Sequence, residues 1–336
     1  MKKIERCERG WRTIRAIRRM LLAATLFMLI PSMALGALTE EAFEQWYEHM
    51  TYLVDGIGAR TLGTEADRLA RAYLADQFER AGMIREDGTL LESACLVNGV
   101  EAVSLIGRMP AVNADARIVT VCAHYDSHTP GARDNASGVA AMLTLMSHFN
   151  ALAPFPDTEL RFIAFAAEEV GQLGSRAYVE GLTQDERQRS LAVFNIDILA
   201  VDVWDTETAF SCDTLGMRAE GRYVDGTDDA PAVNGAARAI LAAMDEVGGF
   251  AAEDEGVSWC VPRHMGMSDH ESFHLAGIDA VNVCFRGNVA QGGSWPEFMH
   301  TPSDIMGDFD LERSRQALEV LMTAVEGLAA DHGYGA

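Results

Sequence analysis

The sequence has too few basic residues to balance its acidic ones. Its 336 residues include 27 Lys and Arg against 50 Asp and Glu, which gives a formal net charge of −23. A strongly acidic protein repels phosphate backbones, so this balance excludes a general nucleic-acid-binding protein. Apolar residues make up 49% and charged residues 23% of the chain. These values are typical of a globular protein rather than a disordered or fibrous one.

Cysteine is scarce and irregularly spaced. The chain has six cysteines and no CxxC pair, which excludes a zinc site built on such a pair. Five of them lie beyond residue 36, and an odd number without tight spacing excludes a disulfide framework. Cys122 and Cys284 lie in apolar runs and are expected in the core. Cys212 and Cys260 are candidates for a disulfide, and the sequence leaves their pairing open.

The N-terminal region lacks an apolar run long enough to cross a membrane. Residues 1–19 contain eight Lys or Arg, and the run Met20–Ile30 has only 11 residues, against about 20 for a spanning helix. A proline and the small-residue pattern Ala34-Leu35-Gly36 follow, as in a secretory leader with its cleavage site. We therefore predict a signal peptide at residues 1–36 and a single domain at 37–336.

Cleavage of this leader would remove eight basic and two acidic residues, leaving a formal charge of −29. The mature protein is then expected to be exported, to the periplasm or the medium, without stable membrane association. The alternative is a membrane tether formed by an uncleaved leader.

The chain also lacks internal repeats, heptads and low-complexity tracts, and shows instead a regular alternation of strand and helix patterns. The predicted strands are Glu101–Ile106, Arg117–Ala123, Leu160–Ala166, Leu191–Ile196 and Ala280–Phe285. The predicted helices are Glu40–Val54, Glu65–Ala81, Ser137–Leu152, Gln172–Gly181, Ala232–Val247 and Leu311–Ala330. This alternation predicts an α/β fold with a mostly parallel sheet that is covered on both faces.

Metal-capable side chains follow three of the predicted strands. His124 follows one, the pair Glu168 and Glu169 follows the next, and Asp197 follows a third. In open α/β sheets, ligands bind at the carboxyl ends of the strands. Together with Asp134, at the start of a helix, these acids would form a negative cluster that only cations stabilise.

The residue types in this cluster are those that zinc binds. Two metals about 3.5–4 Å apart need a bridging carboxylate and terminal ligands on each side. The expected ligands are His124, Asp134, Glu169, Asp197 and, from a later segment, His300. Glu168 is left over and is free to accept a proton from activated water. Asp126 and Asp304 are expected to hold the outer nitrogens of the two imidazoles by hydrogen bonds.

The order of these motifs resembles that of the secreted co-catalytic zinc aminopeptidases, a family that also includes glutaminyl cyclases, certain carboxypeptidases and inactive receptor ectodomains. The matching segments are RTLGT at 60–64, HYDS…PGARDNASG at 124–138, AAEEVGQLGS at 166–175, FNID at 194–197, SDHESF at 268–273 and HTPSD at 300–304. The resemblance implies one three-layer α/β/α domain of phosphorylase/hydrolase-like topology with a mixed, mostly parallel central sheet.

The resemblance also implies a role for each residue of the cluster. His124 and Asp197 would be terminal ligands of one zinc ion, and Glu169 and His300 would be those of a second. Asp134 would bridge the two ions, and Glu168 would be the general base.

The implied function is a metal-dependent aminopeptidase, acting on peptides with a free N-terminus. A hydroxide shared by two zinc ions would attack the scissile carbonyl, with Glu168 as the general base. One alternative is a glutaminyl cyclase, which uses a single zinc on the same fold. Another is a non-catalytic binding ectodomain, which is expected to have lost ligands that this chain retains. Trp295, Phe298 and Met299 are candidates for lining a specificity pocket, or for an ordinary core or loop role.

A second zinc motif competes with this interpretation. His270-Glu271-Ser272-Phe273-His274 matches the HExxH pattern of zincins. A zincin needs this motif inside a long helix with a third ligand downstream, but Gly266 and Gly277 bracket a short segment. The resemblance instead interprets this segment as part of the first site, in which Asp269 supports the metal centre.

Overall fold

The computed structural model of the protein describes residues 38–83, 89–205, 208–213, 234–248, 268–287 and 298–330. The predicted leader at 1–36 lies outside these residues, as does Cys260 of the candidate disulfide. None of the helices in the described ranges is both long enough and apolar enough to span a lipid bilayer.

A mixed sheet forms the centre of the fold. The described strands are β1 (Leu91–Val97), β2 (Val100–Met109), β3 (Arg117–His124), β4 (Thr158–Phe165), β5 (Ser190–Ile196), β6 (Thr208–Asp213) and β7 (Ala280–Gly287). Their order in the sheet is β1-β2-β4-β3-β5-β7-β6. The neighbours β4, β3, β5 and β7 are parallel, whereas β2 and β6 run in the opposite direction. The predicted fold class, with its mixed and mostly parallel sheet, is therefore confirmed.

Helices connect the strands and cover the sheet. They are α1 (Glu40–Thr51), α2 (Glu65–Arg80), α3 (Gly138–Leu152), α4 (Leu173–Gly181), α5 (Gln184–Arg189), α6 (Gly235–Val247), α7 (His270–Leu275) and α8 (Leu311–Ala329). A π-helical turn, Tyr52–Ile57, continues α1, and an irregular turn, Ala132–Ser137, precedes α3.

Side chains of β3 alternate between two hydrophobic cores, one on each face of the sheet. Val119 and Val121 pack in the core that includes Trp46 of α1 and apolar residues of α3, α6 and α8. Cys122 packs in the other core, with residues of α4 and with Phe273 of α7. A parallel strand buried on both faces needs apolar residues at successive positions. Two helical layers thus enclose the sheet and give the predicted three-layer arrangement.

The strand order places the candidate ligands side by side. Because β3 lies between β4 and β5, the carboxyl ends of three parallel strands are neighbours. In the register of the sheet, His124 of β3 lies opposite Phe165 of β4, and Cys122 lies opposite Asn195 of β5. The acidic residues that follow β4 and β5 therefore emerge at the same edge as His124.

Candidate metal centre

Three neighbouring strands deliver metal-capable side chains to one edge of the sheet. His124 ends β3, Glu169 lies in the turn after β4, and Asp197 follows β5 directly. The side chains of His124 and Asp197 are only 1% and 7% exposed. Strong burial of an imidazole beside a carboxylate is costly unless the two groups interact with each other or with a cation.

His124, Asp134 and Asp197 form the first group of candidate ligands. Nε2 of His124 lies 3.3 Å from Oδ1 of Asp134 and 3.4 Å from Oδ1 of Asp197. One donor atom from each of the three lies within 4.8 Å of the others. Nδ1 of His124 lies 3.1 Å from the backbone carbonyl oxygen of Asp126, so Nε2 is the nitrogen that faces the acids.

Asp134, Glu169 and His300 form the second group. Nε2 of His300 lies 2.9 Å from Oε2 of Glu169 and 3.3 Å from Oδ2 of Asp134. Asp134 belongs to both groups and directs one carboxylate oxygen towards each imidazole. This is the arrangement that a bridging carboxylate requires.

The backbone around Asp134 is anchored by buried side chains. Asp134 leaves the helical conformation, with φ −111° and ψ 91°, and its N–H donates to Oδ2 of Asp304 at 3.0 Å. The side chain of Asn135 donates to the carbonyl oxygen of Ile196 at 2.8 Å and accepts from the N–H of Gly138 at 3.0 Å. The turn is thereby tied to the end of β5 and to the start of α3.

Crowding of buried acids shifts the pKa values in the site. Burial, with a contribution from Asp134, raises the pKa of Glu169 to about 7, and burial raises the pKa of Glu168 well above its ordinary range. Burial alone would also raise the pKa of Asp134, but hydrogen bonds from His124 and His300 hold it below its usual range. The hydrogen bond to Asp134 raises the pKa of His300 to about 9. Cations would relieve the repulsion among these carboxylates.

The donor set fits zinc. Two imidazoles and three carboxylates are ligands that zinc accepts, whereas calcium and magnesium prefer sites of oxygen alone. Oε1 of Glu169 is buried and accepts no hydrogen bond from the residues that the structure describes. A buried carboxylate oxygen in this position is costly unless a cation or a donor satisfies it.

Asp126 supports the site by contacts other than those we predicted. We expected its carboxylate to hold the outer nitrogen of His124, but Nδ1 of His124 is 3.8 Å from that carboxylate. The carboxylate instead accepts the backbone N–H groups of Glu168 and Glu169, at 3.1 and 3.2 Å. The contact to the imidazole is made by the backbone carbonyl, because the strand end places that oxygen nearer to the ring.

We predicted that Asp304 would hold the outer nitrogen of His300 by a hydrogen bond, and this partner was wrong. Within the described ranges, no hydrogen bond joins Asp304 to His300. Its carboxylate accepts the backbone N–H groups of Arg133 and Asp134, at 2.9 and 3.0 Å, and Nη1 of Arg133 at 3.1 Å. Both oxygens are directed towards the turn before α3, so Asp304 anchors the turn rather than the imidazole.

Asp269, expected to support the metal centre, is a buried acid whose charge acts on residues of the site. It is fully buried, and burial raises its pKa to about 7, although the His124 imidazole and the Ser175 hydroxyl act in the opposite direction. Its charge in turn raises the pKa of Glu168. The two carboxyl groups are therefore close enough to influence each other.

The HExxH segment does not form a zincin site in the described part of the chain. Helix α7 has only six residues and is followed by Gly277 with φ +79°. Neither group of candidate metal ligands among the described residues includes His270 or His274. The long helix and the third ligand that a zincin requires are both missing from these residues.

Arg60 is a site residue whose role the sequence did not reveal, although its segment RTLGT was part of the resemblance. It is fully buried, and it donates to the carbonyl oxygens of Tyr125 at 2.7 Å, Pro130 at 2.7 Å and Gly131 at 3.1 Å. Burial lowers its pKa to about 10, against the effect of the acids of the site. Arg60 thus holds the loop before Asp134, by backbone contacts that no sequence pattern specifies.

A cavity of about 220 Å³ opens onto both ligand groups, and its walls include Gln172 and Met299. Met299 therefore lies in the wall of a pocket at the site, one of the two roles considered for it from the sequence. Phe298 packs instead against Arg133, whose guanidinium carbon lies 4.4 Å from the ring centroid. Trp295 lies outside the described residues.

Comparison with known proteins gives a family match. Residues 104–325 match the model of a family described as peptidase family M28. The aminopeptidase YwaD of Bacillus subtilis strain 168 is 35% identical over 210 residues, which cover 62% of this chain and 40% of that protein. The chain thus spans about two fifths of the length of this relative.

Solved structures with a similar fold include two kinds of enzyme. The structure of BSAP, a zinc aminopeptidase from Bacillus subtilis, has a TM-score of 0.69 at 21% identity. The match covers 85% of this chain and 94% of the BSAP chain. A glutaminyl cyclase from Porphyromonas gingivalis has a TM-score of 0.64 at 15% identity, and the match covers 85% of this chain and 98% of the cyclase chain. At these identities the likeness concerns the fold alone.

Proposed function

Because the chain belongs to peptidase family M28, we propose that it is a metal-dependent aminopeptidase that removes single residues from the free N-termini of peptides. The observation that carries this proposal is the pair of ligand groups that share Asp134. Their donors include two imidazoles, His124 and His300, one on each side of the shared carboxylate. A site for two metal ions explains this symmetry, whereas a site for one ion uses only half of it.

Within this proposal, His124 and Asp197 would hold one zinc ion, Glu169 and His300 would hold the other, and Asp134 would be shared by both groups. When bound, the ions would polarise the scissile carbonyl and activate a water molecule. Asp197, beside the ion that it would hold, marks the position that would receive the free α-amine of a substrate. A blocked N-terminus would lose this interaction, so a free amine is required.

Glu168 is the proton carrier in the proposed reaction. It belongs to neither ligand group, yet it lines the same cavity. Burial and the nearby acids Asp269 and Asp197 raise its pKa, partly offset by His124. A raised pKa suits a carboxylate that accepts a proton from water and then donates it to the leaving amine.

The size of the cavity suits recognition of a single residue. Its volume of about 220 Å³ is below the ~300–1,000 Å³ of pockets for drug-sized ligands. Met299 gives the wall an apolar element, and Gln172 gives it a polar one. We therefore expect the enzyme to act as an exopeptidase.

One panel of assays tests the proposal. The protein is offered aminoacyl anilides, an N-terminally blocked peptide and a peptide that begins with Gln, with and without a chelator. We expect release of the first residue from the anilides and from the peptide that begins with Gln, and loss of this activity with the chelator. Cleavage of the blocked peptide would contradict an aminopeptidase. Loss of ammonia from the Gln peptide without hydrolysis would instead support a glutaminyl cyclase.

A further inference from the structure

Arg133 is a buried cation that the proposed reaction does not use. It is 5% exposed, and its guanidinium carbon lies 4.4 Å from the ring centroid of Phe298 and 4.8 Å from that of Phe309. The guanidinium also forms ion pairs with Asp202 and Asp304. Only a planar, forked cation can stack between two rings and pair with two carboxylates at once, so lysine cannot replace these contacts fully.

These contacts hold both ends of the segment that carries His300. Phe298 lies two residues before His300, and Asp304 lies four residues after it. Nη1 of Arg133 also donates to the carbonyl oxygen of Ile305 at 3.3 Å. His300 has φ +58°, in the left-handed region where a residue other than glycine is strained. The segment keeps this conformation only if surrounding contacts hold it in place.

The same residue is connected to the bridging ligand. The backbone N–H of Arg133 donates to Oδ1 of Asp304 at 2.9 Å, and the N–H of Asp134 donates to Oδ2 at 3.0 Å. Arg133 and Asp304 therefore join the turn of Asp134 to the segment of His300. This junction lies next to the contact between Oδ2 of Asp134 and Nε2 of His300, which are 3.3 Å apart.

We propose that Arg133 is a positioning residue for the second metal ion. It sets the place of His300 relative to Asp134 and Glu169, and it thereby sets the affinity of that group for its ion. The first group depends on it less, because His124 and Asp197 are placed by β3 and β5. This inference rests on the two-metal site of the proposed function.

Titration of the metal-free protein with Co²⁺ tests this role, with visible absorption as the spectroscopic signature of each occupied site. In Arg133→Ala, we expect the first equivalent to bind as in the wild type and the second to bind about 10–100-fold more weakly, a typical effect of losing a residue that orients a ligand. Arg133→Lys should lie between the two, because it keeps the charge but not the planar stacking. Arg108→Ala is the control. It removes an arginine that pairs with Glu159 on the neighbouring strand β4 at 2.7 Å, and both affinities should stay unchanged.

Each other outcome counts against the proposal. Unchanged affinity for the second ion in Arg133→Ala would overturn it. An equal loss of affinity for both ions, together with a lower Tm of the metal-free protein, would also overturn it. If Arg133→Ala does not fold, Phe298→Leu provides a second variant. It removes one stacking ring but keeps apolar volume, and it should weaken the binding of the second ion while leaving the binding of the first unchanged. A wild-type protein that binds a single Co²⁺ would overturn the two-metal function itself. A wild type that binds two, with no change in the variants, would overturn only the role of Arg133.

Discussion

Glu168 is the side chain on which the chemistry of the proposed reaction depends. Replacing Glu168 with Gln keeps the size of the side chain but removes its ability to accept a proton. We expect kcat to fall by about 10²–10⁴-fold, the range typical of a lost general base. The zinc content should stay as in the wild type, because Glu168 belongs to neither ligand group. Steady-state kinetics and metal analysis on the same preparation check both expectations.

Glu271 provides the matched control at the scale of a single residue. It is the glutamate of the HExxH segment, and a zincin would use it as its base. Because the described residues of that segment form no metal-ligand group, Glu271→Gln should retain most of the wild-type kcat. The reverse pattern, with Glu168→Gln active and Glu271→Gln inactive, would refute the site described above.

Single residues also show how far the sequence predicts the site. The placement of His124 and Asp197 at one edge of the sheet was predictable, because each follows an apolar run and parallel strands bring their carboxyl ends together. The partners of Asp126 and Asp304 were not, because they are backbone N–H groups whose directions depend on turns. For the same reason, nothing in the segment GARDNASG marks Arg133 as a residue that joins two turns.

At the scale of elements, α4 packs so closely under the turn of the glutamates that its second residue must be glycine. A Cβ on Gly174 would lie 2.1 Å from the carbonyl oxygen of Ala166, and a backbone atom cannot move aside cheaply. We expect Gly174→Ala to lower the free energy of unfolding by about 2–3 kcal/mol, as in an overpacked core. Activity should fall as well, because Ala166 lies two residues before Glu168.

Gly181, the last residue of the same helix, is the control. A Cβ there meets nothing within 4 Å, so Gly181→Ala should be neutral or stabilise the protein by about 0.5–1 kcal/mol. Urea unfolding of the two variants beside the wild type measures the difference. Equal effects of the two substitutions would show that close packing at Gly174 does not limit stability.

The contact between α1 and α2 predicts a dependence of stability on pH. Nδ1 of His49 lies 2.6 Å from the hydroxyl oxygen of Tyr73, and burial lowers the pKa of His49 to about 4 from an ordinary 6.5. Between pH 6.5 and 4, the unfolded chain therefore binds a proton at this position that the folded protein does not. Folding stability should fall as pH decreases through this window, by up to about 3 kcal/mol from this group.

His49→Gln isolates the contribution of this histidine. Glutamine can still accept a hydrogen bond from Tyr73, but it does not titrate. Denaturant unfolding at several pH values should show that the wild type loses stability relative to His49→Gln between pH 6.5 and 4. All other titrating groups are common to both proteins, so parallel pH profiles would rule out the buried neutral imidazole.

Two of the elements that the sequence missed, β1 and α5, have identifiable physical features. Strand β1 was missed because it lies at the edge of the sheet, where its exposed positions reduce the apolar signal. Helix α5 has no buried residue and depends on a capping box between Thr183 and Glu186, so it lacks an apolar stripe. The five predicted strands were found within three residues of their observed ends, because they are buried on both faces.

For the molecule as a whole, metal binding should contribute measurably to stability. The ions would bring positive charge into a chain whose formal charge is −23, at a site of mostly buried carboxylates. A ligand present at 100 times its Kd adds about 2.7 kcal/mol, so chelation should lower the Tm by roughly 5–10 °C. Differential scanning calorimetry with and without EDTA measures the shift.

Asp134→Asn serves as the control for that experiment. It weakens the bridge that both ligand groups share, so the chelator should lower its Tm by much less. Recovery of the wild-type Tm after addition of zinc completes the test. If EDTA leaves the wild-type Tm unchanged, bound metal does not stabilise the fold.

The family and the fold class were predictable at this scale because the motif segments are spread from residue 60 to residue 304 and keep their order. Packing then determines how those segments meet. The signal peptide at 1–36 and the boundary of the domain at 37 stay predictions from composition.

Anomalous diffraction from crystals grown with zinc tests the central claim most directly. We predict two peaks at the zinc edge, about 3.5–4 Å apart. One should lie between His124 and Asp197 and the other between Glu169 and His300, with Asp134 in contact with both. A single peak, or peaks away from these side chains, would contradict the two-metal site and the aminopeptidase mechanism derived from it.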